Sequence, residues 1–311
     1  MEKPLVSFCI PVRNTERWLR QAVDSALSQT WGQYEVIVVD DGSTDGTRGI
    51  LESYGARILW QSTPPRGGNA ARNLALTLSR GEWIQFLDAD DYLLPDKIES
   101  QWNETNGFQD VDLILSPEWR ETWLDEEAVG RTRQPVPDGH DLFEQWLRWE
   151  WPGTQGGLWR RGALESVGAW NQAIPCCQDY ELYARALRQG VKVRWTQQPL
   201  SVYRLWSEQT VCRRDPKQLV EIKTALIDSM IDFLKEQNRW NDSLATAAGQ
   251  TCFEMCRTLA LTDLELATRY YEQRAARDLI QLTGPAATGR YRLAHRWLGF
   301  AGAERLARIL R

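Results

Sequence analysis

Short apolar runs alternate with helical patterns over the first third of the chain. The run Glu35–Val39 is β-branched and lacks polar alternation, as expected of a central parallel strand that is covered on both faces. The predicted strands cover residues 5–12, 35–39, 57–61 and 83–87, and the predicted helices cover residues 18–27, 47–54 and 70–79. Crossovers of this length require a parallel sheet with helices on both faces. The pattern therefore predicts an α/β fold with a Rossmann-like, mostly parallel sheet.

The pattern loosens after the fourth strand and then changes to helices alone. Beyond it we expect a helix to about residue 106, a strand over 111–115, a helix over 178–187 and edge strands over 191–195 and 200–203. Residues 118–139 are polar and contain prolines, and tryptophans surround a glycine-rich segment at 153–157. From residue 215 the apolar patterns are helical. We therefore predict an α/β domain over residues 1–214 and an α-helical C-terminal extension over residues 215–311.

Composition indicates a water-soluble globular protein and excludes several classes. The net charge of −5 argues against a general nucleic-acid binder, and no apolar run approaches the ~18 residues that span a bilayer. The first residues carry no hydrophobic leader, so we expect a cytoplasmic protein. The six cysteines form no paired metal-binding spacing and only two histidines are present, which favours buried thiols over a zinc site or disulfides.

Two acidic clusters follow predicted strands. Asp40 and Asp41 come after the second strand, and Asp88, Asp90 and Asp91 come after the fourth. The carboxyl ends of parallel strands meet at one edge of a sheet, where such folds bind their ligands. Clustered carboxylates repel one another, so a fold retains them where a cation lies between them.

Oxygen ligands alone favour Mg²⁺ or Mn²⁺ that also holds a substrate phosphate. Asp88 and Asp90 would point to opposite faces of a continued strand, so both reach one ion only if the chain turns at Ala89. The alternative is a solvated acidic loop that caps the next helix.

The last segment differs in charge from the rest of the chain. Residues 290–311 carry six arginines and one glutamate among apolar residues such as Trp297 and Phe300. Two interpretations stay open: a basic amphipathic segment that lies on an anionic membrane surface, or a terminal helix that packs on its neighbours and exposes a basic face.

Five motifs in order resemble those of family 2 glycosyltransferases with the GT-A fold, over roughly residues 4–210. They are Ser7–Asn14, Val38–Asp45, Ala71–Asn73, Phe86–Asp91 with its Asp-x-Asp, and Gln178–Asp179. The resemblance implies a nucleotide-sugar-binding part over residues 1–115 and an acceptor-binding part over residues 116–214.

The resemblance also implies roles for individual residues. Asp179 would be the catalytic base, and Asp88 and Asp90 would bind the metal ion, Mn²⁺ or Mg²⁺. Asp40 would accept a hydrogen bond from the nucleobase. The implied donor-binding residues are Pro11, Arg13, Asn14, Asp40, Arg66, Arg72, Asp88, Ala89 and Asp90, and the aromatic residues expected to contact the acceptor are Trp151, Trp159 and Trp206.

The implied activity is inverting transfer of a sugar from a nucleoside-diphosphate sugar, with a UDP-sugar the first choice, to a hydroxyl acceptor. That acceptor would be a glycan, a lipid-linked glycan or a protein in cell-surface polysaccharide or glycolipid synthesis, at the inner face of the membrane. The implied partners include no nucleic acid. A single displacement needs one carboxylate base, whereas retaining hydrolases use two carboxylates.

Two residues depart from the family pattern. Gln178 replaces the acid that usually precedes the base, so Asp179 is expected to ionise more easily than in relatives. Leu205 and Trp206 follow Tyr203-Arg204, where many relatives have a histidine near the metal. Water would then complete the metal's coordination, or Trp206 would stack on substrate.

Other classes fit less well. A Rossmann dehydrogenase needs Gly-x-Gly-x-x-Gly after the first strand, and Pro11-Val12-Arg13-Asn14 excludes it. The glycine-rich, basic first loop of a sugar-1-phosphate nucleotidyltransferase is also absent. A catalytically weak or inactive homologue that binds nucleotide sugar or a partner protein is the alternative to an enzyme.

Overall fold

The apolar runs of the first third of the chain form strands, and their bounds follow the predicted pattern closely. A computed structural model of the protein describes residues 2–137, 141–206 and 215–310. The strands of this part of the chain are β1 (Val6–Val12), β2 (Tyr34–Asp40), β3 (Leu59–Ser62), β4 (Trp83–Phe86), β5 (Tyr92–Leu93), β6 (Leu113–Leu115), β7 (Glu118–Leu124), β8 (Glu127–Arg133), β9 (Gly157–Arg160), β10 (Val193–Trp195) and β11 (Ser201–Leu205).

The helices alternate with the strands in the first part of the chain and follow one another in the last part, as predicted. They are α1 (Leu19–Leu27), α2 (Thr47–Ser53), α3 (Gly68–Leu78), α4 (Lys97–Glu104), α5 (Leu142–Leu147), α6 (Arg161–Ser166), α7 (Gln178–Arg188), α8 (Pro216–Glu236), α9 (Asp242–Thr262), α10 (Leu264–Ala275) and α11 (Gly289–Ile309). None of the helices in the described ranges combines the length and apolar character needed to span a membrane.

A seven-stranded sheet in the order β10-β6-β9-β4-β1-β2-β3 forms the centre of the α/β part. Strands β1 to β4 pair in parallel, and every residue of β1 is buried because helices cover both of its faces. Strand β9 runs antiparallel between β4 and β6. This arrangement places the ends of β2 and β4 on either side of β1, at one edge of the sheet.

A second sheet, in the order β5-β11-β7-β8, was only partly predicted. Strands β7 and β8 form a hairpin within the segment that the sequence analysis left without strands. All of β8 is exposed, so it has no hydrophobic alternation to reveal it. Backbone pairing with β7 holds it, together with the Arg131 guanidinium 4.7 Å from the centre of the Trp119 ring. Strand β11 lies inside this sheet, between β5 and β7, so the prediction that it is an edge strand was wrong.

The described residues form two compact units whose boundary differs from the predicted one. The first unit contains residues 2–136 and 151–206, and the second contains residues 137, 141–150 and 215–310. The segment 141–150 therefore belongs with the C-terminal helices, although the sequence analysis placed it in the acceptor-binding part. Within the second unit the Thr251 hydroxyl of α9 donates a hydrogen bond to the Leu147 carbonyl (2.7 Å), and the rings of Phe143 and Phe233 stack 6.1 Å apart.

Five of the six cysteines are buried, which agrees with the sequence interpretation of buried thiols. They are Cys9, Cys176, Cys177, Cys252 and Cys256. The sixth, Cys212, lies outside the described residues.

Candidate active site

Asp40 ends β2 with a fully buried side chain that already accepts several hydrogen bonds. The donors are the Ser43 backbone N–H (2.8 Å), the Arg48 Nε–H (3.0 Å) and the Ser62 hydroxyl (2.8 Å). Burial raises the pKa of Asp40, but these hydrogen bonds outweigh it and hold the pKa below its usual value. A nucleobase that bonded to this carboxylate would have to share or displace one of these donors. The sequence analysis did not single out Arg48, whose spacing from Asp40 matches no motif.

Asp41 organises the loop between β3 and α3. Its two carboxylate oxygens accept the backbone N–H groups of Arg66 (2.6 Å) and Gly67 (2.9 Å). Gly67 has a φ of 97°, which favours glycine, so the loop can place both N–H groups on one carboxylate. The side chain of Arg66 is exposed on a loop whose backbone is fixed.

The predicted nucleotide-binding residues after β1 lie next to this loop cluster. The Asn14 side-chain oxygen accepts the Thr44 N–H (2.8 Å), and the Asn14 N–H donates to the Ser43 hydroxyl (2.9 Å). Arg13 is exposed, and Pro11 is buried within β1. The roles of Pro11, Arg13 and Asn14 in donor binding stay predictions.

The chain turns after β4, as a cation shared by Asp88 and Asp90 would require. The Asp91 N–H donates to the Asp88 carbonyl (3.0 Å), and Ala89 is nearly buried inside the turn. Burial raises the pKa of Asp90, and the charge of Asp88 raises it further. Burial also raises the pKa of Asp91, whose Oδ2 has no hydrogen-bond partner within the described residues. Three carboxylates are thus crowded where a cation would stabilise their charged forms.

The donor set fits a hard divalent cation that arrives with a substrate. Asp88 and Asp90 offer carboxylate oxygens, while water and phosphate oxygens can complete the coordination of Mg²⁺ or Mn²⁺. No cage of three or more His, Cys, Asp or Glu side chains suited to a metal ion occurs among residues 2–137, 141–206 and 215–310. An ion bound by Asp88 and Asp90 would therefore need water or substrate oxygens to complete its coordination.

Arg72 of α3 joins the Asp88 turn to the start of α7. One terminal nitrogen donates to Asp88 Oδ1 (2.5 Å), and the other donates to Gln178 Oε1 (2.8 Å) and Asn69 Oδ1 (3.0 Å). The guanidinium also lies 4.6 Å from the centre of the Trp170 ring. Residues that are far apart in sequence thus meet around one cation, and these contacts place Asp179 in the same site.

Asp179 lies in the first turn of α7, directly after Gln178. Its Oδ1 accepts the Tyr180 N–H at 2.8 Å. Burial raises the pKa of Asp179 to about 6; the charge of Asp88 adds to the rise, whereas the Tyr180 hydrogen bond and the charge of Arg72 oppose it. A carboxylate with this pKa is ionised at neutral pH and is more basic than an ordinary aspartate.

Two of the three tryptophans predicted to contact an acceptor do not reach the surface. Trp151 and Trp159 are each 1% exposed, and their rings lie 4.9 and 5.9 Å from that of Tyr183. Trp159 belongs to the central strand β9, so its side chain fills the core. The sequence showed that aromatic residues cluster there, but it did not show which way they point. Neither ring can form an acceptor wall in this structure.

Trp206, the third of them, is partly exposed and contacts the metal-binding turn. Its indole N–H donates to Asp90 Oδ2 (2.9 Å), and its ring lies 6.0 Å from that of Trp18. The indole thus occupies one lone pair of Asp90, one of the two carboxylates that the sequence analysis assigned to the metal ion.

Arg204 is a positioning residue for this turn that the sequence analysis did not assign. Its backbone N–H donates to Asp91 Oδ1 (2.7 Å), and its guanidinium donates to the Asp90 carbonyl (2.7 Å). The guanidinium lies 4.6 Å from the ring centres of both Trp18 and Tyr92. The Tyr203-Arg204 motif carried the signal, but the sequence analysis used it only to locate a missing histidine.

Comparison with known proteins identifies the family. The sequence-family model described as Glycosyl transferase family 2 matches residues 7–120 of this chain. The Bacillus subtilis protein named "Putative glycosyltransferase EpsH" is 31% identical over 258 residues, which cover 77% of this chain and 72% of that protein. The chain belongs to glycosyltransferase family 2.

The structural neighbours of this family 2 glycosyltransferase share its GT-A fold. Residues 1–349 of Staphylococcus aureus TarS, in complex with UDP-GlcNAc, superpose with a TM-score of 0.64 at 14% identity, covering 98% of this chain and 89% of that TarS fragment. The mannosyltransferase PcManGT of Pyrobaculum calidifontis, in complex with GDP-Man and Mn²⁺, gives a TM-score of 0.53 at 16% identity, covering 99% and 87%. The predicted fold class and family are confirmed. The chain spans only about a third of the length of several Rickettsia relatives (32% for R. felis and 35% for R. typhi).

We predict that Arg72 and Asp88 are strongly coupled in stability. Arg72→Met should lower the free energy of unfolding by about 3 kcal/mol, because it leaves a partly buried carboxylate without its cation. In the double variant Arg72→Met/Asp88→Asn the loss should be smaller than the sum of the single losses. Urea denaturation of the wild type, Arg72→Met, Asp88→Asn and the double variant measures this coupling. Additive losses would show that the ion pair does not connect these elements energetically.

Proposed function

We propose that this protein transfers a sugar from a nucleoside-diphosphate sugar to a hydroxyl acceptor with inversion at the anomeric carbon. The observation that supports the proposal is that Arg72 donates hydrogen bonds both to Asp88, a candidate metal ligand, and to Gln178, which directly precedes the candidate base Asp179. The nucleotide sugars bound by TarS and PcManGT support this donor class, and a UDP-sugar is our first choice.

Asp179 serves as the base in this proposal. The acceptor oxygen attacks the anomeric carbon from the face opposite the diphosphate and gives its proton to Asp179. The new carbon–oxygen bond forms as the bond to the diphosphate breaks, and the bonding electron pair leaves with the nucleoside diphosphate. One displacement inverts the configuration, and a pKa of about 6 leaves Asp179 ready to accept the proton at neutral pH.

Asp88 and Asp90 would hold Mn²⁺ or Mg²⁺ at the diphosphate. A bound divalent ion supplies positive charge that stabilises the leaving group. The Mn²⁺ recorded with PcManGT supports this assignment. Arg72 orients Asp88, Trp206 and Arg204 orient the Asp90 segment, and Arg66 on the loop held by Asp41 adds positive charge near the donor.

The acceptor in this proposal is a glycan, a lipid-linked glycan or a protein, in synthesis of a cell-surface polysaccharide or glycolipid at the inner face of the membrane. In this proposal Trp206 is the aromatic residue that contacts the acceptor, because it is partly exposed beside Asp90. A ring in this place can cover the apolar face of a sugar.

Asp179→Asn should abolish turnover while donor binding is kept. We expect release of UDP from a UDP-sugar, with water as the substitute acceptor, to fall at least ~100-fold because the amide cannot take the proton. The donor and Mn²⁺ should still raise the melting temperature as they do for the wild type. Glu181→Gln is the matched control, since Glu181 lies in the same helical turn but pairs with Arg185 (2.8 Å).

Two outcomes of that experiment would change the proposal. Equal UDP release by Asp179→Asn and wild type would remove Asp179 from the mechanism. Stabilisation of the wild type by donors without release from any of them would favour the nucleotide-sugar-binding homologue that does not turn over.

The pH dependence of UDP release should report the ionisation of Asp179. Only the ionised carboxylate accepts a proton, so the rate should fall as pH drops below about 6 and level off above it, because burial raises the pKa of Asp179 to about 6. Initial rates between about pH 4.5 and pH 8 at saturating donor, with the fold monitored by circular dichroism, measure this. A flat profile through this range would contradict Asp179 as the base.

Trp206→His should strengthen the binding of Mn²⁺. An imidazole beside Asp90 adds a third protein ligand, so we expect Mn²⁺ to bind about tenfold more tightly in the presence of UDP, or ~1.4 kcal/mol. Electron paramagnetic resonance titration of free Mn²⁺ measures the affinity without relying on turnover. Trp206→Phe is the control, since it removes the indole N–H without adding a ligand. Equal affinity of the two variants would place residue 206 away from the metal.

A further inference from the structure

The C-terminal helix α11 packs on its neighbours through one face. Tyr291, Phe300, Ala303 and Glu304 are buried, and the Phe300 ring stacks on Tyr271 with centroids 4.6 Å apart and an interplanar angle of 8°. The Glu304 carboxylate pairs with Arg257 of α9 at 2.9 Å. This face matches the packed-helix interpretation of the sequence.

Outside these buried contacts, α11 and its C-cap residue Leu310 expose large apolar side chains. We call this exposed set the outer face, which consists of Leu293, Trp297, Leu298, Leu306, Ile309 and Leu310. Trp297 is 78% exposed and Ile309 is 80% exposed. The helix kinks at Gly299, whose φ is 65°, so the outer face has a patch on each side of the kink. Six of the ten large hydrophobic side chains exposed in the described residues lie here, a concentration that marks an interaction surface.

The charges around the outer face are positive. Arg290, Arg292, Arg296, Arg305 and Arg308 are all exposed. Glu304 is the acidic residue of the helix, and it is buried against Arg257 on the packed face. The solvent-exposed surface of α11 therefore combines arginine side chains with those of tryptophan, leucine and isoleucine. This combination suits an interface that offers phosphates at its surface and apolar material beneath.

We propose that the outer face of α11 docks on an anionic phospholipid surface, with Trp297, Ile309 and Leu310 in the acyl boundary and the arginines on lipid phosphates. A second copy of the chain is a poorer occupant, because a symmetric contact would bring like-charged arginines together. This docking is independent of the proposed sugar transfer, since it uses only side chains of α11. It would hold the protein where lipid-linked substrates are concentrated.

Vesicle flotation of the full chain tests the proposal. The wild type should float with vesicles rich in phosphatidylglycerol and not with phosphatidylcholine vesicles, and high salt should weaken the binding. Trp297→Ser/Ile309→Ser should lose at least about tenfold in vesicle affinity, since both apolar anchors are removed. Arg290→Gln/Arg292→Gln/Arg296→Gln should lose the preference for the anionic lipid.

The matched control is Leu124→Ser/Val129→Ser, which replaces two exposed apolar side chains of the β7–β8 hairpin and should float like the wild type. Unchanged melting temperatures would show that the fold is intact in every variant. Equal flotation of Trp297→Ser/Ile309→Ser and wild type, or no flotation of the wild type, would overturn the proposal. A concentration-dependent dimer that this variant abolishes would assign the face to a second copy and would also overturn it.

Discussion

The candidate site depends on one guanidinium. Arg72 is almost buried, and removing such a cation from water costs several kcal/mol unless its hydrogen bonds are satisfied. Asp88, Gln178 and Asn69 accept hydrogen bonds from its two terminal nitrogens, and the Trp170 ring lies 4.6 Å from the guanidinium, whereas the Nε–H has no hydrogen-bond partner within the described residues. The same contacts hold helix α3, the turn after β4 and the start of α7 together. Three elements from distant parts of the sequence are therefore positioned by the requirement to satisfy one charge.

The electrostatics of the candidate base Asp179 follow from this arrangement. Asp179 is partly withdrawn from water and close to Asp88, so its pKa rises, while Arg72 limits the rise. Gln178 accepts a hydrogen bond from Arg72 but carries no charge. The positive charge of Arg72 therefore compensates the negative charge of Asp88 and not that of a second acid at position 178. The departure from the family's usual acid at this position is therefore compatible with an ordered site.

Helix α11 of the second unit carries both buried and exposed large side chains. Phe300 and Glu304 of α11 are satisfied by ring stacking and by an ion pair on the packed face. The side chains of its outer face are exposed to solvent, and Trp297 is 78% exposed. The buried contacts of α11 fit the packed-helix interpretation of the sequence, and the proposed membrane docking would use its outer face.

The amino-acid sequence determined those strands and turns that are specified by the pattern of neighbouring residues. Strands β1, β2 and β4 are continuous apolar runs, and the turn at Ala89 follows from the spacing of Asp88 and Asp90. The order of the motifs also indicated the family before any geometry was known. Tertiary structure alone decided that β8 pairs as an exposed strand, that Trp151 and Trp159 point into the core, and that residues 141–150 join the C-terminal helices. Those outcomes depend on backbone pairing and on burial by segments that are distant in sequence. The local pattern of side chains predicts neither the pairing nor the burial.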